Sequence, residues 1–499
     1  MLSGEALDSL RAIAGEQVEF FPHAFQEHLI GLLPKVGTRV VQAAKPNCAQ
    51  GASTAAFESA SRFDSSPLSA LGWYRCGEDG RLYLTTKSEH YHASLGHGFP
   101  GYRLLDRARR LGIPNATHNN TRGHITRTLE EDLVLVANGH APTDRRALPD
   151  LLRSRERGIL NRVLNLETGS LAVEAGLKMM LARFYRMESD QAEPLYAGKT
   201  PVFLVLGDDE GNCNGNYHGT TVLTQTFRGK WPRIREQLEK VGTFRIHAIR
   251  PNRMEDLESA FSRCETETTR IAGLLHEIVM MNYGGVQLKK PFLSRAYELC
   301  HLHNVPVMAD EIQTCVWGPG LFLYKSYGLC PDMVAVGKGF PGGEFASSRI
   351  LFSAALEGDL PQFGSLVTNG QEELASLAYL VTMRWALANT RVTQNIGDEY
   401  ANRLRELAKQ HDDVIAGVEG WGHLSSLFLY DLNVARQLAA MLIQKGLDIS
   451  AQTYKADCPP ALLTKLPLIA SREVVDVVLR KVSEALTEVK ANGEVTIAQ

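Results

Sequence analysis

Two charged residues of this chain stand where chemistry is favoured, each directly after a short apolar run. Lys338 follows the run Val-Ala-Val-Gly, and Asp310 follows the run Val-Met-Ala. Short apolar runs of this kind are typical of buried strands. In an open α/β sheet the carboxyl ends of the strands line the ligand crevice, so both side chains are expected to face one site.

An amine and a carboxylate in one crevice are the two groups that a pyridoxal phosphate enzyme needs. Lys338 would hold the cofactor as a Schiff base, and Asp310 would keep the pyridine nitrogen protonated through a charge-assisted hydrogen bond. Ile312 would pack under the ring, and Gln313 would hydrogen-bond its phenolic oxygen. Taken alone, each motif also has a plain structural explanation, as a strand-end charge or an acidic turn.

Two further segments would complete such a site. Gly169 and Ser170 open a predicted helix over 170–186, whose first N–H groups favour a phosphate. The same loop also suits an N-cap. Tyr217, which precedes His218, would stack on the cofactor ring, and the alternative is an aromatic residue on a surface loop.

The composition describes a chain without a strong charge. Its 499 residues allow about two or three domains, and its net charge of −3 gives no attraction to nucleic acid or anionic lipid. Its eight cysteines form no CxxC pair, which favours a reducing compartment. The first residues do not resemble a signal peptide, and no apolar stretch reaches the roughly 18 residues of a membrane span. We therefore expect a soluble cytoplasmic protein.

The order of the predicted elements indicates an α/β architecture. A small β-meander is predicted over 73–95, and a closing helix over 472–490. Between them strands and helices alternate, which predicts a mostly parallel sheet covered by helices. The predicted strands are 201–206, 244–249, 273–281, 305–309 and 333–337, and the predicted helices between them are 253–266 and 291–303.

These motifs, in this order, resemble those of the class III aminotransferases. That family has the aspartate-aminotransferase-like fold of the fold type I pyridoxal phosphate enzymes. The resemblance covers roughly residues 70–490. The matching segments are DGRLYL (79–84), LGHGFP (95–100), ADEIQT (309–314), YGLCPDMV (327–334) and GKG (337–339).

The resemblance implies a fold and a division into domains. The fold would be α/β, with a mostly parallel central sheet covered by helices and a smaller α+β domain at the C-terminus. An N-terminal segment with the β-meander would span 1–115. The large cofactor-binding domain would span 116–370, and the C-terminal domain 371–499.

The resemblance also implies a function. The chain would move an amino group between an amine or amino acid donor and a keto or aldehyde acceptor. Lys338 and Asp310 would be the catalytic residues, and no metal would be involved. Thr368 matches a threonine that reaches the phosphate from the neighbouring subunit, which implies a homodimer with shared active sites. The implied cofactor-binding residues are Gly169, Ser170, Tyr217, His218, Asp310, Ile312, Gln313, Lys338 and Thr368.

The chain departs from the family where substrates are bound. Leu463 stands where many members have an arginine that grips the substrate carboxylate, and Lys465 would offer a point charge without the arginine fork. The glutamate that usually follows the phosphate loop is replaced by Leu171. These changes suggest an unusual substrate, such as an amino sugar, a cyclic ketone or a terminal amine.

Other functions remain open at this point. The same cofactor chemistry supports a racemase, an epimerase or a decarboxylase. The segment 96–101 (GHGFPG) fits GxGxxG, so a nicotinamide-dependent oxidoreductase is a remote alternative, but it lacks the acidic residue that a dinucleotide site requires. His90, His92 and His97 lie close together, with the first two expected on one strand face, but they have no further ligand for a metal. Residues 1–70 are unassigned, and a dimer-embracing arm or a pocket lid is one use for them.

Overall fold

The computed structural model describes residues 4–44, 51–118, 120–358, 360, 364–452, 458 and 460–497. The chain divides into two compact units. The large unit consists mainly of Leu104–Thr390, and the small unit of Gln17–Arg103 together with most residues after Arg391.

The strands and helices of the described residues are numbered in chain order. The strands are β1 (Pro67–Leu71), β2 (Tyr74–Gly77), β3 (Leu82–Leu84), β4 (Leu160–Leu166), β5 (Thr200–Leu206), β6 (Arg245–Ile249), β7 (Thr269–His276), β8 (Val279–Met280), β9 (Val286–Gln287), β10 (Val307–Asp310), β11 (Met333–Val336), β12 (Ser348–Ser353), β13 (Ile415–Trp421), β14 (Leu424–Leu429), β15 (Ser450–Ala451) and β16 (Ala461–Lys465). The helices are α1 (Leu7–Gly15), α2 (His23–Leu32), α3 (Ala55–Ala60), α4 (Ser88–Tyr91), α5 (Arg103–Arg110), α6 (His124–Ala137), α7 (Leu148–Arg153), α8 (Gly169–Leu181), α9 (Val222–Phe227), α10 (Pro232–Lys240), α11 (Met254–Cys264), α12 (Lys290–Leu302), α13 (Leu323–Tyr327), α14 (Glu373–Gln410), α15 (Leu432–Gln444) and α16 (Arg472–Ile497).

A seven-stranded sheet forms the centre of the large unit. Its strand order is β4-β12-β11-β10-β7-β5-β6. The strands from β11 to β6 pair in parallel, and β12 runs antiparallel to both of its neighbours. The predicted mostly parallel sheet is therefore confirmed. Its inner strands are buried along their length because helices cover them. Their sequences are therefore continuously apolar, such as VFLVL in β5.

Helix α8 packs across this sheet through a face of small and apolar residues. Gly176 is part of that face, and a Cβ there would lie only 2.5 Å from Met308 Sδ and 3.1 Å from Ile350 Cδ1. Both neighbours are fully buried. The close approach fixes the start of α8 over the carboxyl ends of the strands.

The small unit contains two sheets. The meander β1-β2-β3 turns at Gly80, whose φ is 78°, as the Asp-Gly pair predicts. The second sheet has the order β13-β14-β16-β15 and is accompanied by α15 and α16. Leu463 lies in β16 and pairs with Ser426 and Ser450.

Some sequence predictions need correction. The strand predicted over 273–281 is interrupted, because β7 ends at His276 and β8 pairs with β9 in a separate hairpin. His90 and His92 do not share a strand face, because α4 is a single left-handed turn in which four consecutive residues have positive φ. Among the described helices, none combines the length and apolar character that crossing a bilayer requires.

Candidate active site

The candidate site lies where β10 and β11 end side by side in the large unit. The two strands pair in parallel, with Asp310 opposite Ala335. Lys338 follows shortly after the end of β11, and its Nζ donates a hydrogen bond of 3.1 Å to Gln313 Oε1. The amine, the amide and the carboxylate singled out in the sequence therefore stand on neighbouring strand ends.

Lys338 is held in a backbone conformation that residues with side chains rarely adopt. Its φ is 28°, in the left-handed region, where strain costs about 1–3 kcal/mol. A Cβ on Gly337 would overlap Ser348 Oγ, and one on Gly339 would overlap the Trp317 ring. The backbone is thus closely packed on both sides of the lysine, which fixes the point from which its amine emerges.

Asp310 is buried and held by two hydrogen bonds. His218 Nδ1 lies 2.8 Å from Asp310 Oδ2, and the backbone N–H of Ile312 donates to Asp310 Oδ1 at 3.1 Å. His218 is itself 3% exposed, and its Nε2 has no hydrogen-bond partner among the residues that the structure describes. Because an unsatisfied buried polar atom costs free energy, this face of the pair is suited to a ligand.

Ile312 forms an apolar wall between the start of α8 and the end of β11. A Cβ on Gly169 would lie 2.9 Å from Ile312 Cδ1, and one on Gly337 would lie 3.3 Å from the same atom. Only glycine allows Ile312 this position against α8. One branched apolar side chain therefore borders both the helix N-terminus and the strand that leads to Lys338.

The N-terminus of α8 brings small polar groups together. Thr168 caps the helix, since its side chain accepts a hydrogen bond from the Leu171 N–H at 3.4 Å. Ser170 Oγ accepts a hydrogen bond from the backbone N–H of Thr220 at 3.1 Å. Gly219, which precedes Thr220, has a φ of 133°. Thr168 thus caps one N–H group of the helix, and the other N–H groups of the first turn remain available to an anion.

The remaining predicted residues of the site are Tyr217 and Thr368. Tyr217 is half-buried next to His218, and the Arg228 guanidinium lies 4.9 Å from its ring centroid. Thr368 is exposed on the segment that precedes α14. Its predicted contact requires a second copy of the chain.

Two buried groups near the site were not identified from the sequence. Glu311 turns away from Asp310 and accepts hydrogen bonds from the first N–H groups of α13, at Leu323 (2.9 Å) and Tyr324 (2.7 Å). Burial raises its pKa to about 7. The residues around Glu311 did not predict this capping role, because a loop separates Glu311 from the helix that it caps.

The second unidentified group is His276, which ends β7 beside Ala309 of β10. Its Nε2 lies 2.9 Å from the Tyr297 hydroxyl of α12. The ring is completely buried, and this burial lowers its pKa to about 4. In the sequence His276 simply extends an apolar strand, so only the sheet register places it next to the Asp310 strand.

Comparison with known proteins identifies the family. The family model for class III aminotransferases matches residues 74–486. The acetylornithine aminotransferase of Aquifex aeolicus is 24% identical over 417 residues, which cover 83% of this chain and 95% of the relative.

The chain belongs to the class III aminotransferase family. It is a pyridoxal phosphate-dependent aminotransferase, as the resemblance of its motifs implied.

Solved structures show the same fold. The ornithine aminotransferase of Toxoplasma gondii, whose crystals show partial occupancy of pyridoxal phosphate at the active site, superposes with a TM-score of 0.64 at 18% identity over 86% of this chain and 92% of its own. The ornithine delta-aminotransferase of Plasmodium falciparum has a TM-score of 0.65 at 16% identity, over 94% of this chain and 99% of its own. The predicted fold type I architecture is confirmed.

The residues at the end of β10 and β11 fit this cofactor. An aromatic ring with an anionic tail needs a flat apolar wall, a polar edge and an anion-binding end. Ile312 supplies the wall, and the α8 N-terminus at Gly169 supplies the anion-binding end. The unsatisfied Nε2 of His218 shows that the polar edge around Asp310 is incomplete in the protein alone. Among the described residues no cluster of three His, Cys, Asp or Glu side chains suits a metal ion.

The burial of His276 predicts a loss of stability in acid. Its pKa is about 4 in the folded protein and ordinarily 6.5, so the folded state resists protonation. The contribution of His276 to the free energy of unfolding is fully present above pH 6.5. It is lost as the pH drops toward 4, which lowers that free energy by up to about 3 kcal/mol. Urea unfolding of the wild type and of His276→Gln, which keeps a polar partner for Tyr297, should show a flatter dependence in the variant.

The matched control for this change is His301→Gln, at an exposed position near the end of α12. It should keep the slope of the wild type between pH 6.5 and 4. An equal slope in all three proteins would show that His276 is not the group responsible.

Proposed function

We propose that this aminotransferase uses Lys338 as its reactive amine and takes donors that carry their primary amine at the end of a chain. The observation that carries the proposal is the hydrogen bond between Lys338 Nζ and Gln313 Oε1, at the point where the Asp310 strand also ends. Lys338 would hold pyridoxal phosphate covalently. When bound, the cofactor withdraws electrons through its protonated ring from the carbon that carries the amino group.

Lys338 would also act as the general base and acid. Its backbone is fixed by the closely packed glycines, so Nζ moves only through the flexible part of the side chain. Gln313 orients that Nζ through its amide oxygen. Once freed from the cofactor, the amine would take a proton from the substrate carbon and return it to the cofactor side.

Asp310 would keep the ring nitrogen protonated, and His218 would hold Asp310 in place. Both carboxylate oxygens are already oriented, one by His218 and one by the Ile312 N–H. A carboxylate fixed in this way has little freedom to turn away from the ring edge. His218 therefore acts through Asp310, as a positioning residue rather than a catalytic one.

The phosphate of the cofactor would lie at the start of α8. Gly169 and Ser170 belong to the first turn of a thirteen-residue helix, where free N–H groups and the helix dipole favour an anion. Thr220 is held within reach by its bond to Ser170. Tyr217 would stack on the ring, with Arg228 covering the other face of the tyrosine.

The proposed donor class follows from a change in the small unit. Leu463 is 2% exposed and cannot form the bidentate contact with a carboxylate that an arginine makes. The relatives named above are ornithine and acetylornithine aminotransferases, and the delta-aminotransferase name of one places the reacting amine at the end of the side chain. A donor that is bound mainly through its terminal amine needs no arginine to hold a carboxylate, and it therefore suits this site.

A donor screen with a lysine variant tests this proposal. The wild type should transfer the amine of ornithine or 5-aminopentanoate faster than that of alanine, measured by release of the carbonyl product. Lys338→Ala should abolish transfer while keeping part of the cofactor bound through the α8 contacts, measured by equilibrium dialysis.

Lys240→Ala is the matched control, because Lys240 is exposed at the end of α10 in the same unit. Transfer by Lys338→Ala at the rate of the wild type would disprove the assigned role. A preference for alanine would disprove the donor class while leaving the role of Lys338 intact.

We also propose a homodimer in which Thr368 contacts the phosphate bound by the other copy. The exposure of Thr368 supports this, since a threonine that serves its own chain would be directed inward. A mixture of Lys338→Ala and Thr368→Ala chains tests it. Each mixed dimer would contain one site with an intact lysine and an intact threonine, so its activity should exceed that of both parent variants.

The outcome that contradicts shared sites is an activity in the mixture equal to the mean of the two separate variants. Native mass measurement of the same sample shows whether mixed dimers have formed.

A reducing compartment such as the cytoplasm is the proposed location. All cysteines among the described residues are unpaired, and most of them are buried. Labelling with a thiol reagent in denaturant, without reductant, of protein taken from cell extracts should find them reduced, and a disulfide would contradict the assignment.

A further inference from the structure

The small unit contains a cleft that is lined by none of the candidate active-site residues. Its volume is ≈ 390 Å³, within the range of roughly 300–1,000 Å³ that is usual for small-molecule sites. The wall is mostly polar. It is formed by residues of the meander, the left-handed turn α4 and the segment around β15, and its charged members are Arg62, Arg75, Lys87, Glu89 and Asp448.

Arg75 is the central side chain of this wall and is largely fixed. Its Nη1 donates a hydrogen bond to Glu89 Oε2 at 2.5 Å, and its Nη2 lies 3.1 Å from Asp448 Oδ2. Its side chain is 9% exposed. The remaining donor, Nε, is buried and has no hydrogen-bond partner within the described part of the chain. Both carboxylates of the cleft therefore pair with this guanidinium, and Asp448 also lies 3.9 Å from the guanidinium of Arg62.

Lys87 is the cation of this wall that lacks a carboxylate partner. Its Nζ donates to Ser450 Oγ at 2.5 Å and lies 5.5 Å from the centroid of the Tyr91 ring. No carboxylate of the described residues lies within the 4.0 Å of an ion pair. Burial lowers the pKa of Lys87, because an ammonium removed from water is costly, and the charge of Asp448 offsets only part of this effect.

The backbone that forms this wall is strained. Ser88, Glu89, His90 and Tyr91 all have φ between 45° and 78°. Each such residue costs about 1–3 kcal/mol, and such strain persists where the surroundings hold it. Here the Ser88 hydroxyl donates to the Lys465 carbonyl at 2.5 Å, and His97 Nε2 lies 3.1 Å from Glu89 Oε1. These contacts keep the Glu89 carboxylate on Arg75 and away from Lys87.

We propose that this cleft binds a small monocarboxylate, with the Lys87 ammonium as its main contact and Arg75 Nε as a second donor. The excess charge of the wall is small, with three cationic side chains against two carboxylates. A single negative charge would therefore be stabilised, whereas the doubly charged phosphate would meet repulsion from Glu89 and Asp448. Arg62, which lies at the exposed rim, would steer the anion inward without fixing its position.

Binding of pentanoate to the cofactor-loaded, full-length protein tests this inference. Pentanoate has one carboxylate and no amine, so it cannot act as an amino donor, and the loaded cofactor already occupies its own phosphate site. Titration followed by nuclear magnetic resonance of the ligand gives the dissociation constant. Lys87→Met should weaken binding at least about tenfold, the usual effect of losing a hydrogen bond to a charged group.

Two further variants make the test specific. Lys409→Met, at an exposed position near the end of α14, should bind pentanoate like the wild type. Glu89→Gln removes a negative charge beside Arg75 and should tighten binding several-fold, an effect that a damaged fold cannot produce.

The inference is overturned if pentanoate binds Lys87→Met and Lys409→Met equally well, or if Glu89→Gln leaves the affinity unchanged. It is also overturned if the wild type binds inorganic phosphate more tightly than pentanoate in a way that depends on Lys87. Because each readout is an affinity, loss of transamination in Lys338→Ala does not affect the result.

Discussion

The parallel pairing of β10 with β11 is the constraint on which the candidate active site depends. Since both strands run in the same direction and Asp310 pairs with Ala335, the residues that follow them emerge at one edge of the sheet. A shift of this register would separate Lys338 from Gln313 and Asp310. The antiparallel strand β12 reinforces the pairing, because Ser348 at its start closes the space beside Gly337. The fixed, strained backbone at Lys338 is a consequence of this packing.

The parts of the fold that local sequence determines were predictable. Continuous apolar runs identified β5, β10 and β11, because strands buried on both faces need no polar alternation. The strand β12, with a buried arginine at position 349, and the adjacent β4 gave no such signal. The left-handed turn α4 also escaped prediction, since nothing in the residue types of Ser88–Tyr91 indicates positive φ.

The candidate site was predictable where single segments carry it and not where distant segments meet. Asp310 and Ile312 could be assigned from their own motif. The bond between His218 and Asp310 joins residues 92 positions apart, so it depends on the sheet order and not on spacing. The placement of His276 has the same origin. The capping role of Glu311 was not predicted either, because the first N–H group that it accepts from, at Leu323 of α13, lies twelve residues further along the chain.

The two units differ in how they relate to the family pattern. The large unit holds the amine, the carboxylate and the helix N-terminus that we propose for the cofactor site. In the small unit Leu463, which the motif resemblance aligns with the family's arginine, is buried in β16, and Nζ of the buried Lys465 lies 5.2 Å from the Tyr91 ring centroid. In the proposed anion site of the small unit, recognition would rest on the point charge of Lys87 near Tyr91 and not on the planar fork of an arginine.

The most direct test of the central claim is the covalent attachment of the cofactor. The protein loaded with pyridoxal phosphate is treated with borohydride, digested, and its peptides are weighed by mass spectrometry, with absorbance recorded before and after. The account predicts loss of the absorbance near the visible edge and a stable cofactor adduct on the peptide that contains Lys338. An adduct on a different lysine, or none on a protein that stays colourless with added cofactor, would contradict it.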